Sequence, residues 1–238
     1  LRPCRAWCSI KPLLLDPFTG IPREAPPFLA QLAANNRRDW FEEHKADYQT
    51  LVEAPLRALV TTLAPAMLAI DPGFTVDPRR GAVSRVRRDT RFSRDKSPYR
   101  INQWLTFKRP VEGWQDRPAY FMQFGVTDYA YGMGFYQATP ATMTTLRDSI
   151  RRAPERFAAA VAAAETMRLE GERYHRPKPA DGLPAVAADW FSRKSVYLIA
   201  EQPIDELFFT AALAERLAAV FGALAPLYRF LDEAVVGS

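Results

Sequence analysis

Ile101-Asn-Gln-Trp-Leu-Thr-Phe107, Tyr120-Phe-Met-Gln-Phe-Gly-Val126 and Tyr129-Ala-Tyr-Gly-Met-Gly-Phe135 follow one another in the middle of the chain and share a two-residue period. In the first, Ile101, Gln103, Leu105 and Phe107 fall on one side, and Asn102, Trp104 and Thr106 on the other. Tyr120, Met122, Phe124 and Val126 alternate next, then Tyr129, Tyr131, Met133 and Phe135. A period of two with one apolar side is the mark of a strand whose single face is buried. Only Thr127-Asp128 separates the last two segments, so they form a hairpin, and the three together predict an antiparallel meander.

Outward from the meander the period changes to that of helices. Pro26-Pro27 suits a first helical turn, and Phe28, Leu29, Leu32 and Ala33 make a short stripe that ends at the cap-forming Asn35-Asn36. From about Asp39 a longer stripe runs through Trp40, Phe41, His44, Tyr48, Leu51, Val52, Leu56, Leu59, Val60, Leu63, Met67 and Ile70. Pro55 and Pro65 lie inside it and are expected to bend or split the helix, since each removes a backbone donor. Ala82 to Arg88 reads as a further strand. After the meander, Met143, Leu146 and Ile150 mark one helix, Pro154 to Met167 another, and Ser195 to Ala200 a strand. The apolar residues from Leu207 to Phe221 predict C-terminal helices with a break near Gly222 to Pro226. Helices, then a meander, then helices describe an α+β fold: an antiparallel β-meander sheet packed with N-terminal and C-terminal helices, in a single domain over residues 26–235. Residues 1–25 hold four prolines and no sustained period, and read as a flexible leader.

The composition narrows the class. A hydrophobic share of 48% with 25% charged residues excludes a disordered chain. No run approaches the roughly 20 apolar residues of a membrane span, so no membrane partner is expected. Leu13 to Leu15 is too short for the core of a signal peptide. Cys4 and Cys8 are the only cysteines, which excludes a disulfide-built fold and makes a reducing cytoplasm the default.

Searches for chemistry return mostly exclusions. A phosphate loop and a nucleophile elbow are both missing, and Gly132-Met-Gly134 fails as a dinucleotide fingerprint because Gln137 stands where the third glycine belongs. No cofactor is implied. The two histidines, His44 and His175, lie far apart, and no cluster has metal-ligand spacing. His44 lies on an apolar helix stripe and reads as a packed residue. Gly132 and Gly134 share one strand face and read as a place where a helix packs closely.

One segment stands apart. Residues 79–100 hold nine Lys or Arg against two Asp, a net +7, while the whole chain carries +5. The basicity is therefore local. In an extended Ala82 to Arg88, Arg85 and Arg87 point one way and Val86 and Arg88 the other. The turn-rich stretch from Asp89 to Pro98 then directs Arg91, Arg94 and Lys96. Arginine suits bidentate contact with carboxylate or phosphate, and the two aspartates either orient arginines or supply a general base, making Asp89 and Asp95 the catalytic candidates. Three readings stay open: an anion site for a phosphorylated or carboxylated small molecule, a nucleic-acid or phosphoprotein surface, and a structural ion-pair network.

These residues resemble an uncharacterised family found in bacteria and fungi, domain of unknown function 2461. The central match comprises Arg85, Arg88, Asp89, Arg91, Phe92, Ser93, Asp95, Lys96, Pro98 and Tyr99, with Arg94 and Arg100 keeping the charge. An early motif matches Asn35, Asn36, Trp40 and Phe41, followed by Lys45 and Tyr48. Later ones match Gly132, Gly134, Tyr136 and Arg147, then Arg176-Pro177 and Lys194-Ser195. A His-Pro common in the family is Leu183-Pro184 here, so no role of that histidine carries over. The resemblance brings no established activity. It implies one domain, with Asn36, Trp40, Arg88, Asp89, Arg91, Lys96, Tyr99, Tyr136 and Lys194 gathered in one place; the expected ligand-binding residues are these without Asp89, together with Arg85 and Arg100.

Overall fold

The computed structural model describes residues 17–91, 93–176 and 179–236. Its sheet has five strands: β1 (Gln103–Phe107), β2 (Pro118–Phe124), β3 (Asp128–Phe135), β4 (Arg168–Glu170) and β5 (Tyr197–Pro203). Their order is β1-β2-β3-β5-β4, and every neighbouring pair is antiparallel. The expected meander is its first half, closed at the hairpin by Gly125 N–H donating to Asp128 O at 2.9 Å. Leu105, Met122, Tyr131 and Ala200 stand opposite one another across four strands. The side chains that alternate with the half-buried face, Leu105, Phe107, Tyr120, Met122, Phe124, Tyr129, Tyr131 and Met133, are all buried. Ile101 departs from the expected pattern: it lies before β1 and is 39% exposed.

β5 begins two residues later than expected and adds to the open edge of β3. Gly132 sits at that junction. A Cβ there would meet the Leu198 carbonyl oxygen and the Phe121 ring, so it is the neighbouring strand, not a helix, that needs the space. β4 does not appear in the sequence pattern, because three residues are too few to display an alternation, and the helix expected to reach Met167 ends at Ala162, with turns leading into β4.

The segment Ala82 to Arg88 is not a continuous strand. It flanks β1 through two isolated bridges, Val83 with Leu105 and Arg87 with Tyr99. Between them the ladder breaks, because Trp104 N–H donates to the Ser84 hydroxyl (3.0 Å) where a regular strand would offer a carbonyl.

Helices cover the core face. α1 (Ala25–Ala34) begins on Pro26-Pro27 and buries Phe28, Leu29 and Leu32. Folded structure starts earlier than the expected residue 26, since Phe18 and Ile21 are buried and Ile21 N–H donates to Phe208 O at 3.2 Å. The expected leader with Cys4 and Cys8 otherwise falls on residues 1–16, outside those described. The long helix expected from Asp39 is four consecutive pieces: α2 (Arg38–Glu43), α3 (Lys45–Tyr48), a π turn over Gln49–Glu53, and α4 (Ala54–Ile70). Pro55 has no N–H to offer the Leu51 carbonyl, and the wider π turn immediately precedes it. Pro65 is accommodated within α4.

The run Lys45–Ile70 is long and apolar enough to cross a membrane by length and composition, with mean hydropathy 1.3, contrary to the expectation from sequence. In this fold Leu56, Leu59, Val60, Leu63 and Met67 of that run are core residues, and α4 packs on β1 and on α8 (Ala212–Ala223). α9 (Ala225–Val236) follows the expected break, and packs on β2, α5 (Pro140–Arg152) and α6 (Pro154–Ala162). α7 (Ala185–Phe191) precedes β5.

A buried polar network ties α4, β1, β2 and α9 together. Asp71 accepts from Arg109 Nε (2.7 Å), from Gly73 N–H (2.8 Å) and from the Tyr228 hydroxyl. Asp232 accepts from Arg117 Nη1 at 3.1 Å and pairs with Arg109 at 3.4 Å. Burial works to raise the Asp71 carboxyl, but the hydrogen bonds from Arg109, Tyr228 and Gly73 outweigh it and hold the group below the usual carboxylate range. Two carboxylates thus meet two guanidinium groups.

Candidate functional site

The basic segment runs between β1 and a helical arm formed by α2, α3, the π turn and the start of α4, and returns as the β1 lead-in, so its residues are divided between two depressions. Arg85 and Arg87 line the larger, and Arg88 lines the smaller. The tip between them is tied to itself. Asp89 accepts from Arg91 Nε (2.9 Å), Nη2 (2.6 Å) and backbone N–H (3.2 Å). Asp95 accepts from Ser97 N–H (2.9 Å) and from Arg88. Lys96 Nζ donates to Thr90 O at 2.9 Å. The Arg91 side chain, with its backbone N–H, lowers the Asp89 carboxyl to about 2. Ser97 and then Arg88 hold Asp95 well below the usual range. A carboxylate kept ionised in this way has little affinity for a proton at neutral pH, which suits an orienting role better than that of a general base.

Asn36 and Phe41 join the helical arm to Tyr99 of the loop, while Trp40 faces Phe28 and His44 instead. Asn36 Nδ2 donates to Tyr99 O (2.9 Å) and its Oδ1 accepts from Tyr99 N–H (3.0 Å), imitating one rung of a strand ladder. The Tyr99 ring is buried and stacks on Phe41 at 4.1 Å. Trp40 stacks on His44 at 4.0 Å, and His44 Nδ1 lies 2.8 Å from Trp40 O, which is the packed histidine expected. Arg100 lies over the Trp104 indole at 4.7 Å. Asn36, Arg88, Asp95, Tyr99 and Arg100 surround a depression of about 390 Å³.

Tyr136 and Lys194 do not join them. Gln103 stands opposite Phe124 and Phe124 opposite Tyr129, so Tyr136, just past the end of β3, lies seven residues further along, roughly 23 Å from the start of β1. There Tyr136 stacks on Trp114 at 5.6 Å, and Lys194 pairs with Glu172. The set that the resemblance implied is divided between opposite ends of the sheet.

The larger depression is a cleft of about 710 Å³ between the helical arm and residues 78–87. Beneath two of its lining residues, Tyr48 and Ser84, lies a polar anchor. Gln103, which is wholly buried, accepts at Oε1 from the Tyr48 hydroxyl (3.0 Å) and the Ser84 hydroxyl (3.1 Å) and donates from Nε2 to Arg100 O (3.0 Å). Burial, with Glu53 nearby, pushes the Tyr48 hydroxyl far up, so it stays a donor. The walls hold six cations, Lys45, Arg57, Arg79, Arg80, Arg85 and Arg87, against two carboxylates, Glu42 and Glu53. Arg87 and Lys45 pair with Glu42 at 3.1 and 4.0 Å, and Arg80 with Asp77 at 3.5 Å. Arg57 Nη2 reaches Glu53 at 2.6 Å, but its Nε–H is buried without a partner among the described residues. The side chains of Arg79 and Arg85 also have no hydrogen-bond or ion-pair partner there.

Sequence reasoning found Arg85 and passed over Arg57, Glu53 and the cleft role of Tyr48. A Glu53–Arg57 pair four residues apart, spanning Pro55, was the available signal. What concealed it was the π turn, which re-aims these side chains and has no periodic signature.

An α+β domain with an open antiparallel sheet and a cationic cleft on one edge is the class these features define. Residues 24–230 match the family described as conserved hypothetical protein (DUF2461), and the chain belongs to that family. No curated protein matches it.

Proposed function

We propose that this protein binds an anionic small molecule, phosphorylated or carboxylated, in the cleft between the helical arm and residues 78–87. The observation that carries the reading is a surplus of guanidinium groups: among the described residues the side chains of Arg79 and Arg85 have no hydrogen-bond or ion-pair partner, and beside them Arg57 has a buried, unpaired Nε–H. Leaving such a donor unpaired costs about 1–3 kcal/mol, which an anion in the cleft would recover. A volume of about 710 Å³ lies within the usual range for small-molecule sites. The cations line a concavity, which favours a compact ligand over a polynucleotide that tracks a stripe of charge.

The test is calorimetric titration with phosphate, diphosphate and citrate at two salt concentrations. Binding by at least one of these, weakened at least tenfold by Arg85→Ala and by Arg79→Ala with unchanged thermal stability, is the expected result. No heat from any of the three at millimolar concentration overturns the reading.

A further inference from the structure

At the far end of the sheet from the cleft, two arginines are buried together. Arg147 on α5 and Arg193 in the turn between α7 and β5 are each 5% exposed. Arg147 Nη2 donates to Arg193 O at 2.7 Å, and its guanidinium lies over the Tyr174 ring at 5.4 Å. Arg193 donates to Gly171 O at 2.9 Å and to Asp189 at 3.2 Å. The Nε–H of both is buried without a partner among the described residues. Asp189 is shared further with Arg173, at 2.6 Å, so one carboxylate serves two guanidinium groups. Among the described residues no carboxylate pairs with Arg147.

Backbone carbonyls hold these side chains in position without neutralising them. Buried ionised groups are strongly disfavoured unless charge-paired, and the Asp71–Asp232 network of this same fold meets that demand with two carboxylates for two arginines. The Arg147–Arg193–Arg173 group falls short by two negative charges. Arg173 and Asp189, with side chains 59% and 40% exposed, open the group to solvent on one side.

We propose that Arg147 and Arg193 form a second oxyanion site, separate from the cleft, that takes a doubly charged tetrahedral group, a sulfate or phosphate ion or a phosphoryl group on a small molecule. Fork-shaped guanidinium groups suit such oxygens, and a dianion closes the charge deficit.

Selenate soaked into crystals of the unmutated chain should give an anomalous peak about 4 Å from the Arg147 or Arg193 nitrogens, since its oxygens sit at hydrogen-bond distance and selenium lies one bond beyond them. In solution, an Arg79→Ala, Arg85→Ala variant removes the cleft, so this result does not depend on the cleft reading. Sulfate and phosphate should raise its Tm in a saturating manner, by about 3–5 °C at ten times the dissociation constant, and Arg147→Gln on that background should abolish the saturating part. Glycerol phosphate acting as well as phosphate supports an esterified group as the natural occupant, and phosphate acting alone supports the free ion. A rise that never saturates and is equal with and without Arg147 is the general salting effect of sulfate and overturns the proposal. Should Arg147→Gln fail to fold, the selenate map decides: no peak at the pair also overturns it.

Discussion

Replacing Asn36 with alanine separates scaffold from ligand contact. The wild-type amide satisfies both backbone groups of Tyr99, at 2.9 and 3.0 Å, beneath a ring that is 2% exposed. Asn36→Ala removes two hydrogen bonds and leaves a donor and an acceptor unpaired. At about 1–3 kcal/mol for each orphaned group, reduced because Asn36 is only half-buried and water can enter, the expected loss is about 2–4 kcal/mol. For a chain of this length that is a fall in Tm of about 4–12 °C. Asn36→Asp should recover little, since a carboxylate can accept from Tyr99 N–H but only repels Tyr99 O. Urea unfolding followed by circular dichroism measures both variants. If Asn36→Ala unfolds at the wild-type midpoint while anion binding falls, the clamp argument is wrong and Asn36 belongs to the ligand.

Tyr228→Phe removes one of the donors that hold Asp71 ionised, and should lower stability at neutral pH. Because the Asp71 carboxyl is depressed in the fold, its contribution is fully present above the unfolded value of about 3.9 and is lost as pH falls below it; the variant should show a shallower acid limb in a Tm series from pH 5 to 2. Gly132→Ala drives a Cβ into the Leu198 carbonyl and should cost more than about 3 kcal/mol, read as loss of soluble protein or a collapsed Tm; a folded, wild-type-like variant would refute the close approach. Tyr120→Phe deletes a buried hydroxyl without a partner among the described residues, and should be neutral or stabilising by up to about 2 kcal/mol in the same urea assay.

The parts of this fold that could be read in advance were those with a long enough period. Leu105, Phe107, Tyr120, Met122 and Phe124 announce their strands because each repeats the same burial. β4 has three residues and none of them is fully buried, so no pattern could form. Ala82 to Arg88 looked like a strand because its composition is right, yet the Ser84 hydroxyl intercepts a ladder donor, an event decided by a single side chain. The site divides in the same manner. The density of charge from Arg79 to Arg100 marked one wall of the cleft, while the other wall depends on helical phase. Asp89 and Asp95 were legible as partners of arginines, and which arginine each takes is a matter of loop geometry. Tyr136 and Lys194 share the family's motifs without sharing the place, and only the strand register separates them.

The π turn over Gln49–Glu53 has a consequence for how this chain can change length. An α-helix advances about 100° per residue, so one residue fewer between Tyr48 and Pro55 would let the turn close as ordinary helix and rotate everything before it by about that angle. Glu42, Lys45 and Tyr48 would swing off the cleft together, and Tyr48 would leave Gln103. Those five residues therefore act as a spacer whose length is fixed by the wall it aims. Insertions and deletions here should be tolerated far less well than in the exposed turns on either side of β4.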